Sequence, residues 1–258
     1  SSDDGTIPEQ GGTVDEEQTK LQESPAEWEE EEEEEEVEFD LDAQIVEFRR
    51  QIEEDPENCI HHYNLGEALE ESGAHEEAKE EFQLALQYDD QGQFGAVIHF
   101  GLGELFYKQL MQGTSSNVVK SSIGLLSAHK DKKSITEVLN EDYSQPIDEF
   151  EVAVKELPNL KADEDIVDYI SKNAPLYISN TYYKWGSDLI DKARQLNEYG
   201  DEVKDVKQAL KYLKKALNID PNNSAAKLMV DYGKKMLTQG WQSYDDYGFQ
   251  AKEIKGSG

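Results

Sequence analysis

Carboxylates are the most abundant reactive groups of this chain, and they are concentrated in one run. The run is an unbroken series of eight glutamates: Glu29, Glu30, Glu31, Glu32, Glu33, Glu34, Glu35 and Glu36. Acid–base catalysis needs two carboxylates held at a defined place beside a substrate, whereas a continuous run of like charge repels itself and stays solvated. The run therefore indicates charge-based attraction of a basic partner, a solubilising tail, or a segment that masks the chain's own basic patch at Lys120–Lys133.

The other candidate groups lack the spacing that their chemistry needs. His61 and His62 are adjacent, so on a helix their side chains point about 100° apart and make a poor metal pair. With one cysteine, Cys59, and five scattered histidines, the chain shows no metal-ligand spacing. The pair Gly101 and Gly103 follows no strand and is not a dinucleotide-binding loop. We predict no catalytic residue, no metal and no cofactor, and a protein that is not an enzyme.

Charge divides the chain into a tail and a body. The 258 residues carry a net charge of −32, and residues 1–42 hold 19 acidic residues against one base, a net −18. Hydrophobic content is 36%, below the ~45–50% of a typical globular domain. We predict a disordered acidic tail over residues 1–40. The acidic surface disfavours nucleic acid and anionic membranes as direct ligands and favours a basic protein segment.

The chain shows no pattern that would place it in a membrane. No apolar run approaches the ~18–20 residues of a membrane span, and the N-terminus lacks the pattern of a secretory signal. A lone cysteine forms no internal disulfide, which fits a reducing compartment. We expect an intracellular soluble protein of the nucleus or cytoplasm, or of an organelle if a transit peptide has been removed.

Apolar residues recur at helical spacing through the body. Ser72-Gly73-Ala74 separates two amphipathic helices over residues 59–90, which predicts a helical hairpin. Further helices are expected at 41–52, 96–110, 146–157, 163–173, 178–197, 203–218 and 224–237. We predict a helix-breaking stretch at 112–116 and a helix stop at Pro175. No strand is predicted, and residues 239–258 are expected to be a loosely ordered tail.

The hairpin at 59–90 resembles a tetratricopeptide repeat (TPR), a 34-residue pair of antiparallel helices. The first repeat matches at Leu65, Gly66, Leu69, Ala78, Phe82 and Ala85. The second matches at Leu102, Gly103, Phe106, Phe150, Ala153 and Pro158, and the third at Trp185, Gly186, Ala209, Leu213, Ala216 and Pro221. The resemblance implies an all-α, right-handed α-solenoid of about three hairpins with capping helices over residues 41–238. It places insertions near 111–145 and 159–178.

The resemblance also implies partner-protein binding on the concave face, which the first helix of each repeat lines. The predicted groove residues are His62, Tyr63, Glu67, Glu70, His99, Phe100, Glu104, Tyr107, Tyr182, Tyr183 and Asp188. This mixture of acids and aromatics suits a basic, partly apolar segment through charge pairing and cation–π contact. Tyr63, Phe100 and Tyr107 are equally compatible with packing between repeats.

Two known uses of the family bear on the partner. The clamp for the tails of the chaperones Hsp70 and Hsp90 uses lysine and asparagine where this chain has Tyr63, Glu67 and Gly101, so that ligand is not expected. The acidic run beside interrupted repeats resembles the NASP-type histone chaperones, although their acidic segment lies inside a repeat.

Taken together, these features predict a non-enzymatic scaffold. We predict a chaperone or adaptor for a basic client of the histone or ribosomal protein type, which uses the groove and Glu29–Glu36. The alternative is a structural assembly subunit that docks onto a larger complex through its insertions and has a passive tail.

Overall fold

The structure is a computed structural model that describes residues 40–123, 142–196, 200–245 and 248–257, with the backbone alone over 113–123. The described helices are α1 (Leu41–Glu54), α2 (Cys59–Glu71), α3 (His75–Tyr88), α4 (Gly95–Ile123), α5 (Ser144–Glu156), α6 (Glu164–Ala193), α7 (Glu202–Ile219) and α8 (Ser224–Gln239). A short 3₁₀ helix, Leu157–Asn159, follows α5, and strands β1 (Trp241–Tyr244) and β2 (Ala251–Ile254) follow α8.

Two predicted segments fall outside the described residues. One is most of the insertion near 111–145, and the other is the acidic tail predicted over residues 1–40, of which only Asp40 is described. The glutamates predicted to attract a basic partner belong to that tail, and all eight lie outside the described ranges: Glu29, Glu30, Glu31, Glu32, Glu33, Glu34, Glu35 and Glu36. The disorder of the tail and the role of its glutamates therefore stay predictions.

Polar side chains cap the N-termini of several of these helices. The Asp40 carboxylate accepts a hydrogen bond of 3.0 Å from the amide of Ala43. The Asn223 side chain accepts one of 2.9 Å from the amide of Ala226, and Asn58 caps α2 in the same way. Each cap satisfies an amide that has no partner within the helix, and so fixes where the helix begins.

The helices pack in chain order, each against the next, and so form an all-α solenoid. Helices α2–α3, α4–α5 and α6–α7 are three hairpins, and α1 and α8 flank them. The buried apolar residues form three cores, one among α1–α4, one among α4–α6 and one among α6–α8. Because α4 and α6 each contribute to two cores, each hairpin depends on its neighbour for burial. The predicted fold class is confirmed.

One glycine in the first helix of each hairpin allows the second helix to approach closely. These glycines are Gly66, Gly103 and Gly186. A Cβ on them would lie 2.9 Å from Phe82, 2.7 Å from Phe150 and 2.6 Å from Leu213, respectively. All three large side chains are fully buried. The same pairing of a glycine with a large apolar residue thus recurs in all three hairpins, as the sequence predicts.

The predicted helix stop at Pro175 is wrong, because α6 runs unbroken from Glu164 to Ala193. Ile170, Ala174 and Ile178 lie at intervals of four residues and are buried in the core shared with α4 and α5. A proline inside a helix costs ~3 kcal/mol, whereas burying an isoleucine contributes ~1.5–3 kcal/mol. Two isoleucines on one face therefore offset the proline and favour a continuous helix.

The predicted break at 112–116 is also wrong, because α4 continues to Ile123. This stretch contains glycine, threonine and serine but no proline. Glycine costs a helix about 1 kcal/mol and the other residues less. Such residues weaken a helix without ending it.

The structure has a two-stranded antiparallel sheet where the sequence analysis predicts no strand and a loosely ordered tail. Trp241 pairs with Ile254 and Tyr244 with Ala251. The indole of Trp241 donates to the Ala193 carbonyl at 2.9 Å, and the Ser243 hydroxyl donates to the same oxygen at 2.7 Å. The β-hairpin therefore supplies hydrogen-bond donors to the Ala193 carbonyl at the C-terminus of α6. These contacts explain why strands of only four residues are held in position.

We expect Lys252→Met to destabilise this end of the solenoid. Lys252 reaches from β2 to the carboxylate of Glu202 at 2.9 Å, and the Glu202 side chain is only 3% exposed. The variant leaves a buried charge without its partner, and since Lys252 is itself half exposed we expect a loss of about 1–3 kcal/mol in the free energy of unfolding. Chemical denaturation measures the loss.

The double variant Glu202→Gln/Lys252→Met should recover most of that loss, because it removes the unpaired charge as well. Lys255→Met is the matched control, since Lys255 is exposed on the same segment. Equal losses for Lys252→Met and Lys255→Met would show that the ion pair contributes nothing.

Candidate functional site

Helices α2, α4 and α6 bring a set of acids and tyrosines together on one side of the solenoid. Lys108 of α4 pairs with Glu70 of α2 at 2.7 Å. Tyr177 of α6 donates to Glu104 of α4 at 2.9 Å. Three first helices are thus joined by side-chain contacts across their shared surface. We call this set the groove cluster: Tyr63, Glu67, Glu70, Glu104, Tyr107, Lys108 and Tyr177.

Glu67 lies at the most crowded point of the groove cluster. Its Oε1 atom would lie 3.0 Å from a Cβ on Gly101, so the glycine of α4 makes room for it. Burial and the charges of Glu104 and Glu70 raise the pKa of Glu67 from its ordinary value of 4.5 to about 7, against the opposing effect of a hydrogen bond from Tyr63 and the charge of Lys108. The side chain keeps contact with solvent, so a partner can reach it.

The remaining polar groups of the groove cluster experience the same crowding. Burial raises the pKa of Glu104, against the effect of the Tyr177 hydrogen bond and Lys108. Burial and the neighbouring carboxylates also raise the pKa values of Tyr63 and Tyr177. The tyrosines therefore stay neutral donors, and the excess charge of the groove cluster is negative.

Three predicted groove residues face away from this surface. His62 is 4% exposed and bonds to Glu81 of α3 at 2.7 Å and to the Pro56 carbonyl at 2.9 Å. His99 bonds to Glu149 of α5 at 2.6 Å. Both histidines join the two helices of their own hairpin.

Phe100 is the third, and it is 5% exposed. Its ring packs against Phe150, Tyr169 and Tyr177 at centroid distances of 5.4–6.0 Å. It is a core residue between the second and third hairpins, as the packing interpretation of the sequence allows.

The three predicted groove residues of α6 lie at two different sites. Tyr182 stacks with Trp185 and Tyr212, and the ammonium of Lys215 lies 4.9 Å from the centre of its ring. Tyr183 and Asp188 instead line a cavity between α4 and α6. Only the second pair continues the surface of the groove cluster.

This cavity, which we call the α4–α6 pocket, has a volume of about 300 Å³. Its lining residues are Tyr107, Met111, Asn180, Tyr183, Lys184, Ser187 and Asp188. Asp188 accepts from Lys184 at 2.9 Å and from the Tyr143 hydroxyl at 2.5 Å. The charged groups of the wall therefore already have partners within the chain.

Three residues of the groove cluster and the α4–α6 pocket are not predicted from the sequence: Lys108, Tyr177 and Asn180. Lys108 follows Glu104 by four residues and lies on the same helical face, so the sequence contains the signal for it. Tyr177 is missed because Pro175 predicts a break that leaves it between the helices expected at 163–173 and 178–197. Asn180 lies inside the second of these helices, and neither its residue type nor its spacing distinguishes it from other polar positions.

We expect Glu67 to make stability fall as pH rises. A carboxyl whose pKa is about 7 in the folded state binds more protons folded than unfolded between its ordinary value and pH 7. The free energy of unfolding therefore decreases with rising pH in that window. Because the Glu67 side chain is crowded by its neighbours but keeps contact with solvent, screening limits the expected loss to about 1–2 kcal/mol between pH 5 and pH 8.

Urea denaturation of the wild type and of Glu67→Gln at both pH values measures this effect. The stability of Glu67→Gln relative to the wild type should increase as pH rises. A difference that does not change with pH would contradict a raised pKa at Glu67. Glu76→Gln, at an exposed position of α3, is the matched control.

The described ranges show neither a metal site nor a membrane span. No three His, Cys, Asp or Glu side chains within them are grouped so that they could hold a metal ion. In the same part of the chain, no helix combines the length and apolar character needed to cross a bilayer.

Comparison with known proteins identifies the repeats. The tetratricopeptide repeat family model matches residues 62–91 and residues 198–223, which cover most of the first hairpin and α7 with its closing turn. The chain therefore contains tetratricopeptide repeats, the class that its stacked hairpins and glycine crossings indicate. Such repeats are protein-interaction scaffolds and are typically not enzymes.

A solved structure of a TPR repeats protein from Bacteroides fragilis is similar to the chain at 15% sequence identity, over 76% of this chain and 91% of that one, with a TM-score of 0.24. No curated protein matches the chain.

Proposed function

We propose that the groove cluster binds a basic, partly apolar segment of a partner protein, and that the chain acts as a chaperone or adaptor for that partner. The observation that carries this proposal is the excess of carboxylates on facing helices. Glu67, Glu70 and Glu104 lie together, and Lys108 pairs with one of them. The three carboxyl groups outnumber the single cation, so negative charge is left for a ligand to neutralise.

The raised pKa of Glu67 supports a cationic ligand. Burial and the charges of Glu104 and Glu70 hold the pKa of the carboxyl near 7, so an arriving lysine or arginine would relieve repulsion as well as form a new pair. The tyrosine rings beside it offer cation–π contact, worth ~0.5–1 kcal/mol at exposed sites. A basic segment therefore gains from the groove in two ways.

The acidic run Glu29–Glu36 adds a second source of attraction for the same partner. Eight consecutive negative charges raise the encounter rate with a basic client at low salt. Histones and ribosomal proteins carry extended basic segments of this kind. We therefore propose a client of the histone or ribosomal protein type.

The test is the salt dependence of binding to a fluorescein-labelled peptide of the histone H3 tail, measured by fluorescence anisotropy at about 50, 150 and 300 mM NaCl, a range over which screening strengthens. We expect the affinity to fall at least tenfold across this range, and an acidic peptide of equal length not to bind. Salt-independent binding, or equal binding of the acidic peptide, would overturn the proposal. Comparison with a variant in which Glu29–Glu36 is replaced by Gly and Ser separates the contribution of the run.

A structural assembly subunit is the second candidate, and one observation favours it. Ile166, Tyr169 and Leu176 of α6 are 42–52% exposed, within the segment that the sequence analysis assigns to an insertion. An exposed apolar face on a helix suits docking onto a larger complex. If this function holds, Ile166→Ser/Leu176→Ser should abolish co-purification of the complex, whereas Glu67→Gln/Glu104→Gln should not.

A further inference from the structure

The α4–α6 pocket is continuous with the groove cluster. Tyr107 belongs to both, and its ring meets the ring of Tyr177 at 4.8 Å. Tyr177 in turn donates to Glu104 at 2.9 Å. Only the rings of Tyr177 and Tyr107 therefore separate a positive charge at Glu104 from the pocket.

The chemistry of the pocket differs from that of the groove cluster. Lys184 and Asp188 neutralise each other at 2.9 Å, and Tyr143 supplies a further hydrogen bond to Asp188. Asn180 accepts from Asn223 at 3.3 Å. With these polar groups engaged, the rings of Tyr107 and Tyr183 and the thioether of Met111 provide the apolar walls of the pocket, and such a surface favours an apolar guest.

The volume of about 300 Å³ is at the lower end of the range for ligand pockets. A space of this size suits one large side chain of a peptide rather than a whole cofactor. Binding energy at protein interfaces often concentrates in one such anchored side chain.

The helix that carries both sites sets their separation. Glu104 and Met111 are seven residues apart on α4, which is about 10 Å along the helix axis at 1.5 Å per residue. A segment in the polyproline II conformation covers that distance in about three residues at ~3.1 Å each, and its three-residue turn puts side chains three positions apart on the same face. The two contacts of an extended partner are therefore about three positions apart.

We propose that the α4–α6 pocket accepts one large apolar side chain of the partner, about three positions from a lysine or arginine that reaches the groove carboxylates. This inference rests on the proposed function, since it assumes that the groove cluster binds a basic segment. It narrows the partner from any basic segment to one with a basic residue and an apolar anchor at this spacing.

Twelve-residue fluorescein-labelled peptides on a Gly/Ser background test this spacing by fluorescence anisotropy. They carry Lys-x-x-Phe, Phe-x-x-Lys, Lys-x-x-Ser, or Lys and Phe nine positions apart. We expect Phe to increase the affinity at least tenfold over Ser at the three-residue spacing in one chain direction, which is about 1.4 kcal/mol. The nine-residue spacing should lose most of that gain.

Ser187→Phe fills the pocket from within, and Ser171→Phe is the matched control at an exposed position of α6. The first variant should remove the gain from Phe while leaving Lys-x-x-Ser binding within twofold, and the second should change neither. Thermal unfolding by circular dichroism confirms that each variant is folded, and the peptide series on the wild type remains decisive if one is not.

The outcomes separate the two proposals. Lysine-dependent binding with less than a threefold gain from Phe in both directions overturns the pocket inference and leaves the proposed function standing. A gain that survives in folded Ser187→Phe also overturns the pocket. Failure of every spacing peptide to bind, while the histone peptide still binds, overturns the pocket inference alone, and failure of both kinds of peptide overturns both proposals.

Discussion

Phe82→Ala should reduce the free energy of unfolding by about 3–5 kcal/mol, the cost typical of removing a fully buried aromatic side chain. Phe82 is 0% exposed and fills the space that Gly66 and Gly101 leave open. Its ring also packs against Tyr63 at a centroid distance of 5.8 Å. No neighbour can collapse into the cavity without moving α2 or α4, so the full cavity cost is expected.

The measurement is chemical denaturation followed by circular dichroism. Phe249→Ala is the matched control, because it removes the same atoms from a side chain that is 86% exposed, and it should change stability by less than about 0.5 kcal/mol. If the two variants lose equal stability, the first hairpin is not held together by the crossing of Phe82 over the glycines.

The point at which the two helices of a hairpin cross can be predicted from the sequence, because it depends on residue types at a fixed spacing. A glycine in the first helix and a large apolar residue in the second are both needed where two helices approach closely, and Gly66 with Phe82 shows this directly. The same rule locates Gly103 with Phe150 across an insertion. Periodicity therefore predicts which faces meet, even when the loop between them varies.

The candidate site is only partly readable, because the helical face toward a partner resembles the face toward a neighbouring helix. Tyr63 and Glu67 are four residues apart and lie on the same face of α2, in the groove cluster. The sequence assigns His62 and Phe100 to the same surface, but α3 covers the first and the third hairpin covers the second. Only the order in which the helices pack distinguishes these faces, and a single sequence does not state that order.

Local signals fail where tertiary packing decides the outcome. Pro175 predicts a helix end, yet Ile170 and Ile178 hold both halves of α6 against one core. The strand Trp241–Tyr244 is too short to show a period, and it exists because the Ala193 carbonyl accepts from two of its side chains. In both cases the deciding partner is distant in the chain.

Replacing the three groove carboxylates with glutamine should have the largest effect on binding. In Glu67→Gln/Glu70→Gln/Glu104→Gln the groove keeps its shape and loses three charges, and Lys108 loses its partner at Glu70. The surface then repels a basic segment, and we expect the affinity for the labelled histone peptide to fall about 100-fold or more at low salt, with most of its salt dependence lost.

The matched control removes three charges elsewhere. Glu57, Glu76 and Glu80 are exposed and lie outside the groove cluster, so their replacement by glutamine changes the net charge equally. That control should weaken binding less than threefold. An equal loss in both triple variants would mean that net charge, and not the groove, attracts the partner.

Stability distinguishes this loss of binding from damage to the fold. Burial and crowding by Glu104 and Glu70 raise the pKa of Glu67 to about 7, so at pH 8 ionised Glu67 costs the folded state free energy that the triple variant recovers. The variant that binds worst should therefore unfold at higher denaturant concentration than the wild type at pH 8. Repulsion that is kept at a cost to stability is expected of a binding surface, whereas carboxylates that served the fold alone would lower stability when removed.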